Sequence, residues 1–243
     1  MITFILLLGG ISSALFLSSV AGFGGSLILT PLLVLTLGAK QGIALSALIL
    51  ATHNGIKLIA YRSFLPIKAS MVITGATLAG VFIGSVLLVA MPDKVAIFLL
   101  IFFSVTTLLF EVSHQFNSRT FNQNTKALSP WIAFLSGIAS GSSGTSGPLK
   151  GLAVKNLQLD CLEHVGAASI VSFAGDVLKA GVFSSAGLLN SDSLTTLAFV
   201  TPLMPICAFA GLAFNKRFGD KAFAAIFWVL IGGYILRTIG VLS

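Results

Sequence analysis

Residues 69–92 read ASMVITGATLAGVFIGSVLLVAMP, which is 24 consecutive residues without one charged side chain. An α-helix needs about 20 apolar residues to cross the hydrocarbon core of a bilayer. Other uncharged runs of similar or greater length cover residues 1–39, 127–149 and 193–215. The sequence lacks the alternating ten-residue strands of a membrane barrel, and helices satisfy their own backbone polar groups in lipid. These runs therefore predict membrane-spanning helices.

The composition of the whole chain also indicates a membrane protein. Of its 243 residues, 56% are hydrophobic and 9% are charged, whereas a soluble domain carries about 25% charged residues. This excludes an ordinary soluble enzyme, a disordered chain and a nucleic-acid-binding module. The net charge of +7 comes from basic residues at the ends of apolar runs and not from one patch, so we expect no nucleic-acid partner. The expected partner is the lipid bilayer of the cell (inner) membrane, crossed several times.

Sequence motifs of enzymes and metal sites are absent. The chain contains no CxxC, HExxH, P-loop or GxSxG motif. Its two cysteines, Cys161 and Cys207, have neither metal-ligand nor redox spacing. We therefore expect no enzyme activity, no cofactor and no metal site. Residues 4–21 lack the basic region of a signal peptide, so we expect them to remain in the mature protein.

An internal repeat relates the two halves of the chain. A shift of 122 residues places residues 22–27 on 144–149 and residues 52–57 on 174–179. In both halves a lysine, Lys57 or Lys179, stands four residues before an aromatic residue. This pattern predicts two transmembrane repeats with a connecting loop between them. The predicted first repeat covers 1–112, the cytoplasmic loop 113–127 and the second repeat 128–243.

Each predicted repeat has a first helix, a Gly/Ser-rich break, a short apolar segment and three long helices. The helices are expected at about 2–20, 26–38, 42–61, 69–91 and 94–112, and at about 128–142, 148–157, 163–183, 194–214 and 221–241. Basic residues place the loops at 62–68, 113–127 and 216–221 in the cytoplasm, and the loops at 92–94 and 184–193 outside. The fold class expected is thus an all-α polytopic membrane protein with two inverted-topology repeats. Such repeats, with broken or short helices near the midplane, are common in secondary transporters.

The Gly/Ser-rich breaks are the first candidate site. Residues 22–25 and 140–147 are irregular by composition, and Pro148 suits the first turn of a following helix. Irregular backbone at membrane depth is tolerated only where it lines a cavity inside the protein. A break followed by a helix points free N–H groups and a positive dipole end into the break, which suits an anion. The alternative is that these small residues only let neighbouring helices pack closely.

Two buried lysines extend the candidate site. Asn54 and Asp176 precede Lys57 and Lys179 by three residues, so each shares a helix face with its lysine. Asp176 can neutralise Lys179, whereas Asn54 leaves Lys57 with surplus positive charge, which suits an anionic substrate. The alternative is that both lysines extend to the membrane interface. The candidate substrate-binding residues are Gly24, Gly25, Ser26, Asn54, Lys57, Ser143, Thr145, Ser146, Gly147 and Lys179.

Two residues are candidates for coupling transport to an ion gradient. His53 titrates near neutral pH and lies one turn from Lys57, although a lone histidine often only packs. Asp176 is the rival proton site. The sequence leaves sodium coupling and homo-oligomerisation open. Lys150, with the charged residues that follow Pro148, is expected to be solvated at the membrane interface.

Three motifs together resemble the sulfite exporter TauE/SafE family, also called the 4-toluene sulfonate uptake permease family. They are Gly22-Phe23-Gly24-Gly25 leading to Pro31, the helix with Asn54, Lys57 and Tyr61, and Gly144-Thr145-Ser146-Gly147-Pro148. The resemblance covers essentially the whole chain. It implies a membrane permease, often an exporter, for small organic or sulfur-containing anions such as sulfite, sulfonates and sulfoacetate. Transport would proceed by alternating access between the two halves.

Two departures from the family pattern leave the substrate undecided. Ser26 stands where the family commonly has a further glycine, and Lys150 stands where an apolar residue is expected. Two other functional classes also stay open. A cation or metal permease would use Asp176 and His53 as ligands, and a non-transporting scaffold subunit would tolerate filled glycine breaks.

Overall fold

The structure is a computed structural model that describes residues 2–22, 24–116, 128–145 and 147–218. All the regular elements in these ranges are helices. They are α1 (Ile2–Ala21), α2 (Gly25–Leu37), α3 (Ala39–Ala60), α4 (Ile67–Ala90), α5 (Asp93–Phe116), α6 (Ser129–Ser143), α7 (Gly147–Lys155), α8 (Cys161–Ser185), α9 (Ser191–Val200) and α10 (Leu203–Phe218). A 3-10 turn at Arg62–Phe64 links α3 to α4. The helix predicted at 221–241 lies outside the described residues.

Several helices are suited to crossing a bilayer. By length and composition, α3, α4 and α8 can each span the membrane, and α9 with α10 forms a bent pair that can count as one further span. The all-helical architecture and these spans confirm the prediction of an all-α, multi-pass membrane protein. Most predicted helix ends lie within three residues of the observed ones, although α5 continues to Phe116, past the predicted end at 112.

The helix predicted over residues 194–214 is wrong as a single element. It is divided into α9 and α10, which meet at an angle of 44°. Pro202 lies between them and has no backbone N–H to donate to the carbonyl of Ala198, so the helical ladder is interrupted there. A hydropathy pattern does not detect such a bend because both pieces are apolar.

The core of the described residues includes two bundles with corresponding helices, and a third cluster joins α3, α4, α5 and α8. In the first bundle, α1, α2 and α3 pack with Val200, Met204 and Cys207 from α9 and α10. In the second, α6, α7 and α8 pack with Ile73 from α4. A shift of 122 residues places α1–α3 on α6–α8 and α4 on the α9–α10 region. Each bundle of three helices is thus completed by a helix from the other half of the chain.

Helices α4 and α6 make an especially close contact through glycines. Gly80 and Gly84 on α4 face Gly137 and Gly141 on α6, two small-xxx-small pairs that let helix backbones approach. A Cβ atom on Gly141 would lie 2.5 Å from the carbonyl oxygen of Val81. Because real Cβ atoms do not come so close, glycine is required at this crossing.

The expectation that residues 140–147 are irregular is therefore wrong for residues 140–143, which belong to α6. The hydroxyl groups of Ser142 and Ser143 donate hydrogen bonds of 2.8 Å to the carbonyls of Ile138 and Ala139, one turn earlier. The hydroxyl donors of both serines are therefore satisfied within the helix. The close-packing alternative thus applies to this part of the Gly/Ser run.

Candidate functional site

The two helix breaks have corresponding geometry. Helix α1 ends at Ala21 and α2 begins at Gly25, and α6 ends at Ser143 and α7 begins at Gly147, so each boundary recurs after 122 residues. Gly22 has φ 80° and Gly144 has φ 75°. Both values lie in the left-handed region that favours glycine.

Each break also packs against the opposite half. A Cβ atom on Gly22 would lie 2.8 Å from Ala168 Cβ and 3.1 Å from the Cα atom of Val165, both on α8. A Cβ atom on Gly144 would lie 3.1 Å from a side-chain methyl of Ile43 on α3. Ile43 and Val165 are themselves 122 residues apart. A larger residue at either break would push the two halves apart.

Helices α3 and α8 meet at residues that correspond in the two halves. Asn54 Nδ2 donates a hydrogen bond of 2.8 Å to Asp176 Oδ2, and these residues are 122 apart. Next to this contact, a Cβ atom on Gly55 would lie 3.1 Å from the ring of Phe173, and Gly166 lies beside the carbonyl of Phe64. Position 54 thus meets 176, position 55 meets 173 and position 64 meets 166. Because one number rises as the other falls, α3 and α8 run antiparallel.

A small cavity lies beside the first break and this helix crossing, and its second-half lining comes from α6, α7 and α8. The first half contributes Ser18, Gly22, Gly24, Gly25, Ser26, Leu50 and Asn54. The second half contributes Ser140, Lys150, Ser172, Asp176 and Lys179. The cavity volume is ≈ 20 Å³, and a single water needs about 10–15 Å³ by this measure. The described conformation therefore leaves a polar, partly open space of about one water.

Lys179 forms the ion pair that its spacing from Asp176 predicted. Lys179 Nζ lies 2.7 Å from Asp176 Oδ1 and donates a hydrogen bond of 3.1 Å to Ser140 Oγ. Both charged residues are buried. Asp176 uses its two oxygens for partners on different helices, since its other oxygen accepts the hydrogen bond from Asn54. The carboxylate thus links the two halves and neutralises one lysine.

Lys57 is fully buried, so it does not extend to the membrane interface. Its Nζ donates to the Ser18 carbonyl at 2.7 Å, to Asn54 Oδ1 at 3.1 Å and to Ser18 Oγ at 3.3 Å, with the Gly22 carbonyl at 3.5 Å. Two of these acceptors are carbonyls at the C-terminal end of α1, where a cation is favourable. Lys57 is not among the residues that line the cavity.

Two further side chains bind the end of α1. The hydroxyl of Tyr61 donates to the Ser19 carbonyl at 2.8 Å, and Asn215 Nδ2 donates to the Val20 carbonyl at 2.8 Å. The last carbonyls of a helix have no partner within the helix itself. Side chains of α3 and α10 therefore cap the helix at its break. Sequence reasoning missed the role of Asn215, for which the sequence carries no signal.

The serine partners of the two lysines are also related by the shift of 122 residues. Lys57 bonds Ser18 and Lys179 bonds Ser140, each 39 residues earlier in the chain. Ser18 and Ser140 are 122 apart, as are the two lysines. Sequence reasoning missed both serines, although searching the repeat for matched polar positions could have found them.

Lys150 is buried, at 8% exposure, so the expectation that it is solvated was wrong. Helix α7 packs between α6 and α8, which places its first turn inside the protein. Lys150 Nζ donates a hydrogen bond of 3.2 Å to Ser172 Oγ on α8. Both residues line the cavity, and neither was among the predicted site residues.

The other predicted residues fall into three groups. Gly24, Gly25, Ser26, Asn54, Asp176 and Lys179 line the cavity. Ser143 and Thr145 are buried and hydrogen-bond each other, with 3.1 Å between their hydroxyl oxygens, but neither lines the cavity. Gly147 is the first residue of α7 and Ser146 lies outside the described residues.

His53 lies apart from the cavity. It is fully buried, and its Nε2 is 2.9 Å from Ser19 Oγ and 3.0 Å from the Leu15 carbonyl oxygen. Its Nδ1 has no hydrogen-bond partner in the described part of the chain. Within the same residues, no three His, Cys, Asp or Glu side chains lie together as metal ligands would.

Comparison with known proteins gives one match. No curated protein and no solved structure matches the chain. A family model described as "Sulfite exporter TauE/SafE" matches residues 5–238, which is nearly the whole chain. The chain therefore belongs to the sulfite exporter TauE/SafE family and is a multi-pass membrane permease of that type.

Proposed function

We propose that this protein moves a small sulfur-containing or organic anion, of the sulfite, sulfonate or sulfoacetate type, across the cell (inner) membrane. The observation that carries the proposal is the polar cavity at the first break, because Lys150 and Lys179 line it together with the glycines Gly22, Gly24 and Gly25. Membership in the sulfite exporter TauE/SafE family supports a substrate of this class. Positive charge and open backbone at helix starts suit an anionic group.

The proposed mechanism is alternating access between two inverted repeats, residues 1–112 and 128–243. Corresponding helices α3 and α8 run antiparallel and touch at Asn54 and Asp176, as expected for halves of opposite topology. A cavity of ≈ 20 Å³ has the size of about one water, which is smaller than an anion with four or more non-hydrogen atoms. A movement of one half against the other would open the cavity to one side and admit the substrate.

We further propose proton coupling through Asp176 in preference to His53. Asp176 lines the cavity and pairs with Lys179, whereas His53 lies outside the cavity lining. An anion in the cavity would lie close to the Asp176 carboxylate, and a proton carried by that carboxylate would reduce the repulsion between the two negative charges. Proton and anion would then cross together. Sodium coupling is the alternative.

The test is flux into liposomes that contain the purified protein. We expect uptake of radiolabelled sulfite or a sulfonate above protein-free liposomes, with a stronger response to a proton gradient than to a sodium gradient. Lys155→Gln, an exposed lysine at the end of α7, is the control variant and should transport normally. If folded wild-type protein moves none of sulfite, methanesulfonate and sulfoacetate, the proposed function is wrong.

A further inference from the structure

Lys150 differs from the other two buried lysines in how few partners it has. A lysine ammonium carries three donors. Lys57 has three acceptors within 3.3 Å, and Lys179 has a carboxylate and a serine. In the described residues, Lys150 has one partner, Ser172 Oγ, at 3.2 Å. Among the described residues, two of its donors have no acceptor, at a cavity that Lys150 lines.

The position of Lys150 is also unfavourable without an anion. It lies in the first turn of α7 (Gly147–Lys155), where the helix dipole already presents positive charge. The carboxylate that lines the cavity, Asp176, is bound to Lys179 at 2.7 Å. A buried ammonium without a carboxylate partner costs free energy that a hydrogen bond to a neutral serine hydroxyl does not recover. An anion in the cavity would pair with the ammonium of Lys150 and so offset the free-energy cost of burying it.

The first half of the chain shows that packing does not require a lysine here. The positions 122 residues before Lys150 and Ser172 are Ile28 and Leu50. Both are buried in the first helix bundle, at 8% and 3% exposure. An aliphatic pair thus fills the corresponding place in one half, and a lysine–serine pair fills it in the other. The difference between the halves points to a role in binding and not in structure.

The charges around the cavity indicate the valence of the anion. Asp176 neutralises Lys179, which leaves Lys150 and the neighbouring Lys57 as buried cations that no carboxylate contacts in the described ranges. A divalent anion would balance both charges, and a monovalent anion would leave one. Among the described lining residues, Leu50 is the only aliphatic side chain, so the lining suits a compact, hydrophilic anion.

We propose that Lys150 binds the anionic group of the substrate directly and makes the site prefer divalent oxyanions over monovalent sulfonates. This inference rests on the proposed anion transport and names the residue and the charge class that it selects. Lys179, which Asp176 already neutralises, positions the side chains of Asp176 and Ser140 at the cavity. Lys57 donates hydrogen bonds to the end of α1 and does not line the cavity, but its positive charge lies close to the cavity.

The experiment compares two probes on the full-length chain in detergent: thiosulfate, which is divalent, and methanesulfonate, which is monovalent. Wild-type protein should bind thiosulfate at least ~10-fold more tightly, since a hydrogen bond to a charged partner contributes about one to two factors of ten in affinity. Lys150→Met keeps the length of the side chain and removes the charge. It should weaken thiosulfate binding by ~10- to 100-fold and methanesulfonate binding by less, so that the preference disappears.

Thermal unfolding without anion separates binding from structure. Lys150→Met should unfold at the wild-type temperature or above, because it removes a buried charge. The control Lys155→Met should change neither binding nor unfolding. If Lys150→Met fails to fold, the double variant Lys150→Ile, Ser172→Leu recreates the aliphatic pair of the first half and should fold. If neither variant folds, Lys150 is structural and the inference is overturned.

The remaining outcomes separate the two proposals. Wild-type protein that neither binds nor transports any anion refutes the proposed function and this inference with it. Wild-type protein that transports sulfite, while Lys150→Met keeps the wild-type preference between the two probes, refutes the inference alone.

Discussion

Replacing Lys57 with methionine should destabilise the protein strongly, in contrast to the same replacement of Lys150. Lys57 donates to the Ser18 carbonyl, Ser18 Oγ and Asn54 Oδ1 at 2.7–3.3 Å. The Ser18 carbonyl would keep its helical partner, the backbone N–H of Gly22, at 3.0 Å. Asn54 Oδ1 and the Gly22 carbonyl would lose the lysine and stay buried.

The magnitude follows from two opposing effects. Each hydrogen bond to a charged group contributes ~1.5–3 kcal/mol, and Lys57 makes three of 3.3 Å or less. Removing a charge from the centre of a bilayer returns ~2.5–3.5 kcal/mol. The hydrogen bonds therefore outweigh the charge, and the net loss is about 1–6 kcal/mol for Lys57→Met. For Lys150→Met, which removes one bond, the two effects nearly cancel.

The assay is thermal unfolding of both variants in detergent, followed by tryptophan fluorescence, with Lys68→Met as an exposed control. In a chain of this size 1 kcal/mol corresponds to ~2–4 °C, so Lys57→Met should lower Tm by at least a few degrees. Lys68→Met and Lys150→Met should stay close to wild type. An equal or higher Tm for Lys57→Met than for Lys150→Met would refute the capping role of Lys57.

Three further predictions address the helix contact, the coupling residue and the topology. Gly141→Leu should lower Tm because its Cβ would meet the backbone of α4 at 2.5 Å, whereas Gly75→Leu, with nothing within 4 Å, should leave Tm nearly unchanged; equal effects would contradict the close-packing explanation. Asp176→Asn leaves the buried Lys179 without its carboxylate, which should cost ~3–5 kcal/mol of folding stability. Anion flux through the fraction of this variant that still folds should no longer depend on a proton gradient. If that dependence is retained, Asp176 is not the proton site. In a variant without the native cysteines, Asp192→Cys should react with an impermeant thiol reagent from outside and Arg217→Cys should not; labelling of both from one side would end the inverted-repeat proposal.

The helices and their breaks were predictable from the sequence because lipid leaves few choices. A run such as residues 69–92 must form a helix, and the observed helix covers Ile67–Ala90. The positions of the breaks follow from glycines at which a side chain would be strained, and Gly22 and Gly144 have positive φ as such positions require. Local chemistry therefore determined these elements.

The errors concern features that depend on packing between distant segments. Nothing near Lys150 in the sequence indicates that α7 lies between α6 and α8, so a charged residue after a break was taken for an interfacial one. Lys57 was expected to bind substrate, and the sequence did not show its partners at the end of α1, which lie 35–39 residues away. Asn215 reaches that same end from 195 residues away.

The contact between Asn54 and Asp176 has a consequence for how two such halves can differ. A chain made of two identical copies would place the same side chain on both sides of this contact. Two aspartates 2.8 Å apart would repel one another, and two asparagines would leave Lys57 and Lys179 both without a counter-charge. One amide and one carboxylate give a donor, an acceptor and a single negative charge at this point, so this contact needs different residues at the two corresponding positions.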